Sequence, residues 1–94
     1  MTTKFSDTQV ATGLESIPDW AEINGQLTRT FQFETFARSI EFVNQLADYA
    51  EREQHHPDIL VRYNRVTLTV STHDANGITE KDFALATAAD ELAI

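Results

Sequence analysis

Residues 51–82 read EREQHHPDILVRYNRVTLTVSTHDANGITEKD, and they hold all three histidines of the 94-residue chain, His55, His56 and His73. Pro57 stops whatever helix precedes it, because the residue before a proline avoids the α region. Beyond it, Ile59 to Tyr63 and Val66 to His73 read as two strands joined by a tight Asn64-Arg65 connection. In the second of these, Val66, Leu68, Val70 and Thr72 alternate with Thr67, Thr69, Ser71 and His73. A period of two places His73 at the strand's end, on the hydroxyl-bearing face. Side chains that titrate near neutral pH are thus gathered at the ends of elements, where a scaffold can aim them.

The elements on either side follow from the same kind of reading. Thr35 to about Glu53 is the main helix, since Phe36, Ile40, Val43, Ala47 and Ala50 recur on one face. Phe42, Leu46 and Tyr49 form a second apolar line, which suggests another surface to bury, the N-terminal helix or another subunit. Upstream, Trp20 to Phe33 reads as a hairpin around Asn24-Gly25, two residues that accept positive φ. Leu27, Arg29, Phe31 and Phe33 there alternate with Thr28, Thr30 and Gln32, as in a sheet covered on one face. Ser6 with Gln9 forms a capping box that starts a short helix over about 7–15, and Pro18 is a hard stop. Asp74-Ala75-Asn76-Gly77 is a turn, and Thr79 with Asp82 is a second capping box opening a last helix. The sum is an α+β fold of order α-β-β-α-β-β-α, a four-stranded antiparallel sheet with helices on one face, as a single domain over 1–94.

Composition narrows the function. A net charge of −8 argues against nucleic acid and anionic membrane surfaces as partners, which need a Lys/Arg surplus. No apolar run approaches the roughly 20 residues of a spanning helix, and no secretory signal is visible. The absence of cysteine removes disulfides, thiolate metal sites and thiol catalysis, and fits a cytoplasmic protein. A chain of this size buries roughly 60–65% of its unfolded surface, so oligomerisation is a plausible source of further burial.

The histidines admit three readings. Metal binding suits their number, but adjacent His55 and His56 point apart in any extended or turn geometry, and no His-x-His or His-x-x-x-His is present. A polar stop is the bland reading, with imidazoles meeting the C-terminal dipole of the helix. The third is acid–base catalysis without metal: one imidazole donates a proton while another accepts one, with Glu51 and Asp82 fixing tautomers. Dehydration at a carbon bearing both OH and N needs that pair of acts. Bland readings stand beside Asp82, a helix cap, and Trp20, a core side chain.

The order Glu51-x3-His55-His56-Pro57-x5-Tyr63-x9-His73-x8-Asp82 resembles the signature of the pterin-4a-carbinolamine dehydratases. The flanks agree, through Phe31-Gln32-Phe33 with Phe36, Tyr63-Asn64 with Val66, and Gly77 with Thr79, so the likeness covers nearly the whole chain. It implies a 4a-hydroxytetrahydropterin as substrate, loss of water to the quinonoid dihydropterin, and neither metal nor organic cofactor. It carries the catalytic role to His55, His56 and His73, and places Glu51, Pro57, Ser71, Thr72, Asp74, Asp82 and Trp20 around the substrate. It implies homodimers through joined sheets or homotetramers through the long helix, for which the line of Phe42, Leu46 and Tyr49 is the expected face. Gln54 departs from the Asp or Asn usual before the paired histidines. Two other functions share the resemblance: a non-enzymatic dimerisation or binding module, and a pterin reaction in molybdopterin metabolism.

Overall fold

A computed structural model describes residues 2–94. Ser6 caps the first helix, α1 (Asp7–Leu14), through the reciprocal pair of bonds with Gln9 that the sequence signals. Strands β1 (Ala21–Ile23) and β2 (Gln26–Gln32) turn at Asn24 and Gly25, both with positive φ. Helix α2 (Phe36–Glu53) then crosses to strand β3 (Asp58–Arg62), which folds back as β4 (Arg65–Val70). Helix α3 (Glu80–Leu92) closes the chain. The sheet runs β1-β2-β4-β3, antiparallel throughout, so the order and class expected from the sequence are those of the structure.

One face of the sheet carries the core. Leu27 and Phe31 of β2 and Val66, Leu68 and Val70 of β4 point inward against Phe42 and Leu46 of α2 and Leu85, Ala86 and Ala89 of α3. Each such fully buried large side chain is worth about 1.5–3 kcal/mol in transfer free energy. Phe42 packs at 4.8 Å from the Phe31 ring and 5.1 Å from that of Phe33, which fixes α2 over the middle of the sheet. The other face is hydroxylated: Thr28 meets Thr69 and Thr30 meets Thr67 across the β2–β4 pair, at 3.3 and 2.8 Å.

Three expectations need correction. The first concerns α2. Its buried line is Ser39, Phe42, Leu46 and Ala50, while Phe36 is half exposed and Ala47 open to solvent. The helix is rotated toward α3 as well as β4, so the supposed second stripe is the core stripe. Phe42 and Leu46 are fully enclosed and offer no face to another subunit.

The second concerns the β3–β4 turn, which is Tyr63-Asn64, with Arg62 opposite Arg65. Asn64 brackets Phe33 from both sides, accepting from its N–H at 2.8 Å and donating to its carbonyl at 2.9 Å. That two-way bond to the chain beyond β2 sets the turn one residue earlier than the sequence suggests.

The third concerns His73. Strand β4 ends at Val70, and Thr72 makes an isolated bridge to Gly77. The chain must therefore begin reversing at once, and His73–Ala75 is a single 3-10 turn closed by Asn76 at φ 59°.

Candidate functional site

Helix α2 ends at Gln54, held in the left-handed region at φ 51°. His55 N–H returns to the Ala50 carbonyl at 3.1 Å, and the Gln54 side-chain amide donates to the Glu51 carbonyl at 2.7 Å. This tight reversal sends the two adjacent imidazoles apart. His55 Nε2 lies 2.6 Å from Asp82 Oδ1, and His56 Nε2 lies 2.6 Å from Glu51 Oε2. In each ring Nε2 is taken by a carboxylate, and Nδ1 has no partner among the described residues.

The two pairs live in different surroundings. Glu51 and His56 are exposed, where an ion pair contributes little to stability. Asp82 is completely buried and the His55 side chain is only 11% exposed. No Lys or Arg among the described residues approaches Asp82. Its carboxylate instead accepts at Oδ2 from Thr79 N–H at 2.8 Å and from Thr72 Oγ at 2.9 Å. It also stands in the first turn of α3, where the helix dipole favours an anion. The capping reading of Asp82 holds, with one oxygen closing the capping box of α3, while the other oxygen meets His55.

His73 is exposed, and its ring has no hydrogen-bond partner among the described residues. It follows Thr72, whose hydroxyl reaches the same Asp82 carboxylate. The β3–β4 register pairs Asp58 with Thr69, so the chain just before β3 and the chain just after β4 leave the sheet at one end. That end gathers His55 and His56 with Ser71, Thr72 and His73. Ser71, Thr72 and His73 line an open cavity of about 240 Å³, closed opposite by Asn24 and Gln26 of the β1–β2 hairpin. Pro57 is half buried beside the pair, while Asp74 is exposed and does not line that cavity. Tyr63 stands at the far end of β3, exposed.

Trp20, also predicted to lie around the substrate, is placed in the core. Its indole is 4% exposed, meets Phe31 edge-on at 6.0 Å and donates through Nε1 to Asp90 Oδ1 at 2.8 Å. A ring enclosed in this way has no free face on which a pterin could stack, so Trp20 belongs to the core. Conversely, sequence reading assigns no site role to Thr79, Asn24 or Gln26. Thr79 is visible as a cap, but its 2.6 Å contact with the Thr72 hydroxyl depends on the Thr72–Gly77 bridge, which has no sequence signature.

Such an arrangement can hold two imidazoles each by one nitrogen and present a third on a turn. Residues 3–92 match the family described as pterin 4 alpha carbinolamine dehydratase. A protein of Picosynechococcus sp., provisionally named a pterin-4-alpha-carbinolamine dehydratase, is 44% identical over 98% of this chain and all of its own length. One from Chloroflexus aurantiacus with the same provisional name is 49% identical over 95% of this chain and 96% of its own. Among solved structures, a transcriptional coactivator/pterin dehydratase from Brucella melitensis superposes with a TM-score of 0.95 at 32% identity, covering 98% of this chain and 100% of that one. A pterin dehydratase-like protein described as a RuBisCO assembly factor of the alpha-carboxysome matches at a TM-score of 0.66 and 25% identity, over 79% of this chain and 86% of its own.

Proposed function

The chain belongs to the pterin-4a-carbinolamine dehydratase family, and on that footing we propose that it removes water from a 4a-hydroxytetrahydropterin by histidine acid–base catalysis. One imidazole takes the proton from N5. Another protonates the departing 4a-hydroxyl. The C4a–O bond breaks as the N5=C4a bond forms, giving quinonoid dihydropterin and water. The observation that carries the reading is the pair of 2.6 Å imidazole–carboxylate contacts, His55 with Asp82 and His56 with Glu51, together with an exposed His73 that has no hydrogen-bond partner among the described residues. Each carboxylate orients its ring and supports the imidazolium that forms when the ring takes a proton. His73, free to turn in solvent, suits the complementary proton transfer. Ser71, Thr72 and Pro57 shape the approach to these rings.

In this reading the protein acts in the cytoplasm, in pterin recycling after aromatic hydroxylation, as a homodimer or homotetramer. The test is the dehydration rate of a 4a-hydroxytetrahydropterin, with and without a chelator. The expected outcome is chelator-resistant turnover that falls by about 10²–10⁴ in kcat/KM in His55→Ala and in His73→Ala, the usual cost of removing a general acid or base. If both variants turn over like the parent, the assignment of roles fails.

The relative described as a RuBisCO assembly factor favours a second reading, a non-enzymatic binding module on the same fold. It predicts no turnover in the same assay. A buried carboxylate engaged by a nearly enclosed imidazole favours the catalytic reading over it.

A further inference from the structure

We propose that Thr79 is a positioning residue whose hydroxyl completes a one-way hydrogen-bond chain ending on the Asp82 carboxylate, which accepts from His55 with its other oxygen, so that His55 is held as the Nε2–H tautomer and Nδ1 is its reactive nitrogen. The direction follows from counting protons. Thr79 Oγ accepts from the Lys81 N–H at 3.2 Å, a donor that cannot reverse. Thr72 and Thr79 hydroxyls stand 2.6 Å apart, and either alone could donate. Thr72 has one hydroxyl proton, and Asp82 Oδ2 takes it at 2.9 Å. Thr79 must then be the donor to Thr72. Asp82 Oδ2 also takes the Thr79 N–H, so that oxygen faces two donors.

Every bond in the series therefore points the same way: Lys81 N–H to Thr79, Thr79 to Thr72, Thr72 to Asp82. A carboxylate that receives two donors on one oxygen, in the first turn of a helix, is stabilised as the anion. Its other oxygen then accepts from His55 Nε2–H at 2.6 Å. A neutral imidazole carries one proton, so Nδ1 is left with its lone pair. The arrangement leaves no buried side-chain polar atom without a partner among the described residues, which is what holds the order in place.

The structural half of this proposal is independent of the reaction, and only its kinetic half rests on the dehydratase reading. The experiment is a two-bond proton–nitrogen correlation spectrum of uniformly labelled protein, taken where the imidazoles are neutral, alongside steady-state kinetics. His55 is expected as the Nε2–H form in the parent. Thr79→Val is expected to give a mixture of tautomers and a fall in kcat of about 10–100-fold with KM little changed, the range typical of groups that orient a functional histidine. Thr79→Ser, which keeps the hydroxyl, restores both. A role in capping alone would lower stability without moving the tautomer.

Should Thr79→Val not fold, Thr72→Val breaks the chain one step later and carries the same expectation. Asp82→Asn supplies an inverse check. Its amide, turned to keep the two donors on its oxygen, offers an N–H to the ring and drives His55 to the Nδ1–H form. The proposal is overturned by an Nδ1–H ring in the parent, or by valine variants whose tautomer and kcat match it. A parent with the Nε2–H ring, tautomer mixing in Thr79→Val and no dehydration would uphold the chain and sink the dehydratase reading instead.

Discussion

Asp82 is a single carboxylate with obligations to two elements. It satisfies the N-terminus of α3 through Thr79 N–H and it engages His55 from the other side. Removing it and replacing it should therefore separate cleanly. Asp82→Ala leaves His55, the Thr72 hydroxyl and the Thr79 N–H unpaired in a buried place, and is expected to cost about 1–3 kcal/mol, the range for leaving a buried polar group unsatisfied. Chemical denaturation reads that loss. Asp82→Asn keeps a side-chain oxygen to accept the Thr79 N–H in the capping box, so its stability should lie close to the parent while kcat falls by about 10²–10⁴. At this scale the sequence was informative about which side chains the fold brings into imidazole–carboxylate contact. His55, His56, Glu51 and Asp82 announce themselves by type and spacing. Trp20 did not fit, because an indole's destination depends on what covers it, here Phe31 and Asp90. Thr79 was legible only as a cap, because a cap and a positioning group look identical in a sequence.

Among the elements, α2 shows where pattern reading stops. Its two apolar lines are both real, and periodicity alone cannot say which one faces inward. The buried line includes Ser39, a polar residue made acceptable by donating to the Thr35 carbonyl at 3.2 Å. A hydroxyl that returns to its own helix is invisible to a count of apolar positions, so the stripe without a serine looked better. Element types and order were legible because Asn24-Gly25, Pro57 and the two capping boxes punctuate the chain in local chemistry. Strand ends were not, because the Thr72–Gly77 bridge and the Asn64–Phe33 bracket are contacts between segments.

The end of α2 supports two predictions. Gln54 holds a left-handed conformation that costs a side-chain-bearing residue roughly 1 kcal/mol. Gln54→Gly should raise stability by about 0.5–1 kcal/mol, visible as a rise of several degrees in Tm. Tyr49, on the same helix, has its phenol pushed above the ordinary 10.0 by burial first and by Glu53 second, with Arg52 opposing. A raised value in the fold means its contribution is intact below about pH 10 and is lost as pH climbs through the folded value. Denaturation midpoints should therefore decline on the alkaline side, and Tyr49→Phe should flatten part of that decline.

For the molecule as a whole, a polar knot ties three distant parts of the chain to one another. Asp90 Oδ1 of α3 accepts from Trp20 Nε1 at 2.8 Å and from the Arg29 guanidinium of β2 at 2.6 Å. Arg29 also covers the Phe31 ring at 4.1 Å. Asp90→Ala strands a buried indole N–H and is expected to cost about 1–3 kcal/mol, or roughly 4–8 °C of Tm per kcal/mol in a domain of this size. Asp90→Asn, which keeps an acceptor, should recover much of that loss.

The double duty of Asp82 also bears on how such a protein could decay or be repurposed. A descendant released from the proposed chemistry would be free to discard the imidazoles at 55 and 73, yet it would still need an acceptor oxygen at 82, from Asp or Asn, to start its last helix. The cap would outlive the trade it once served. In sorting working enzymes from retired look-alikes on this scaffold, position 82 is therefore a poor witness, and positions 55 and 73 are the ones to question.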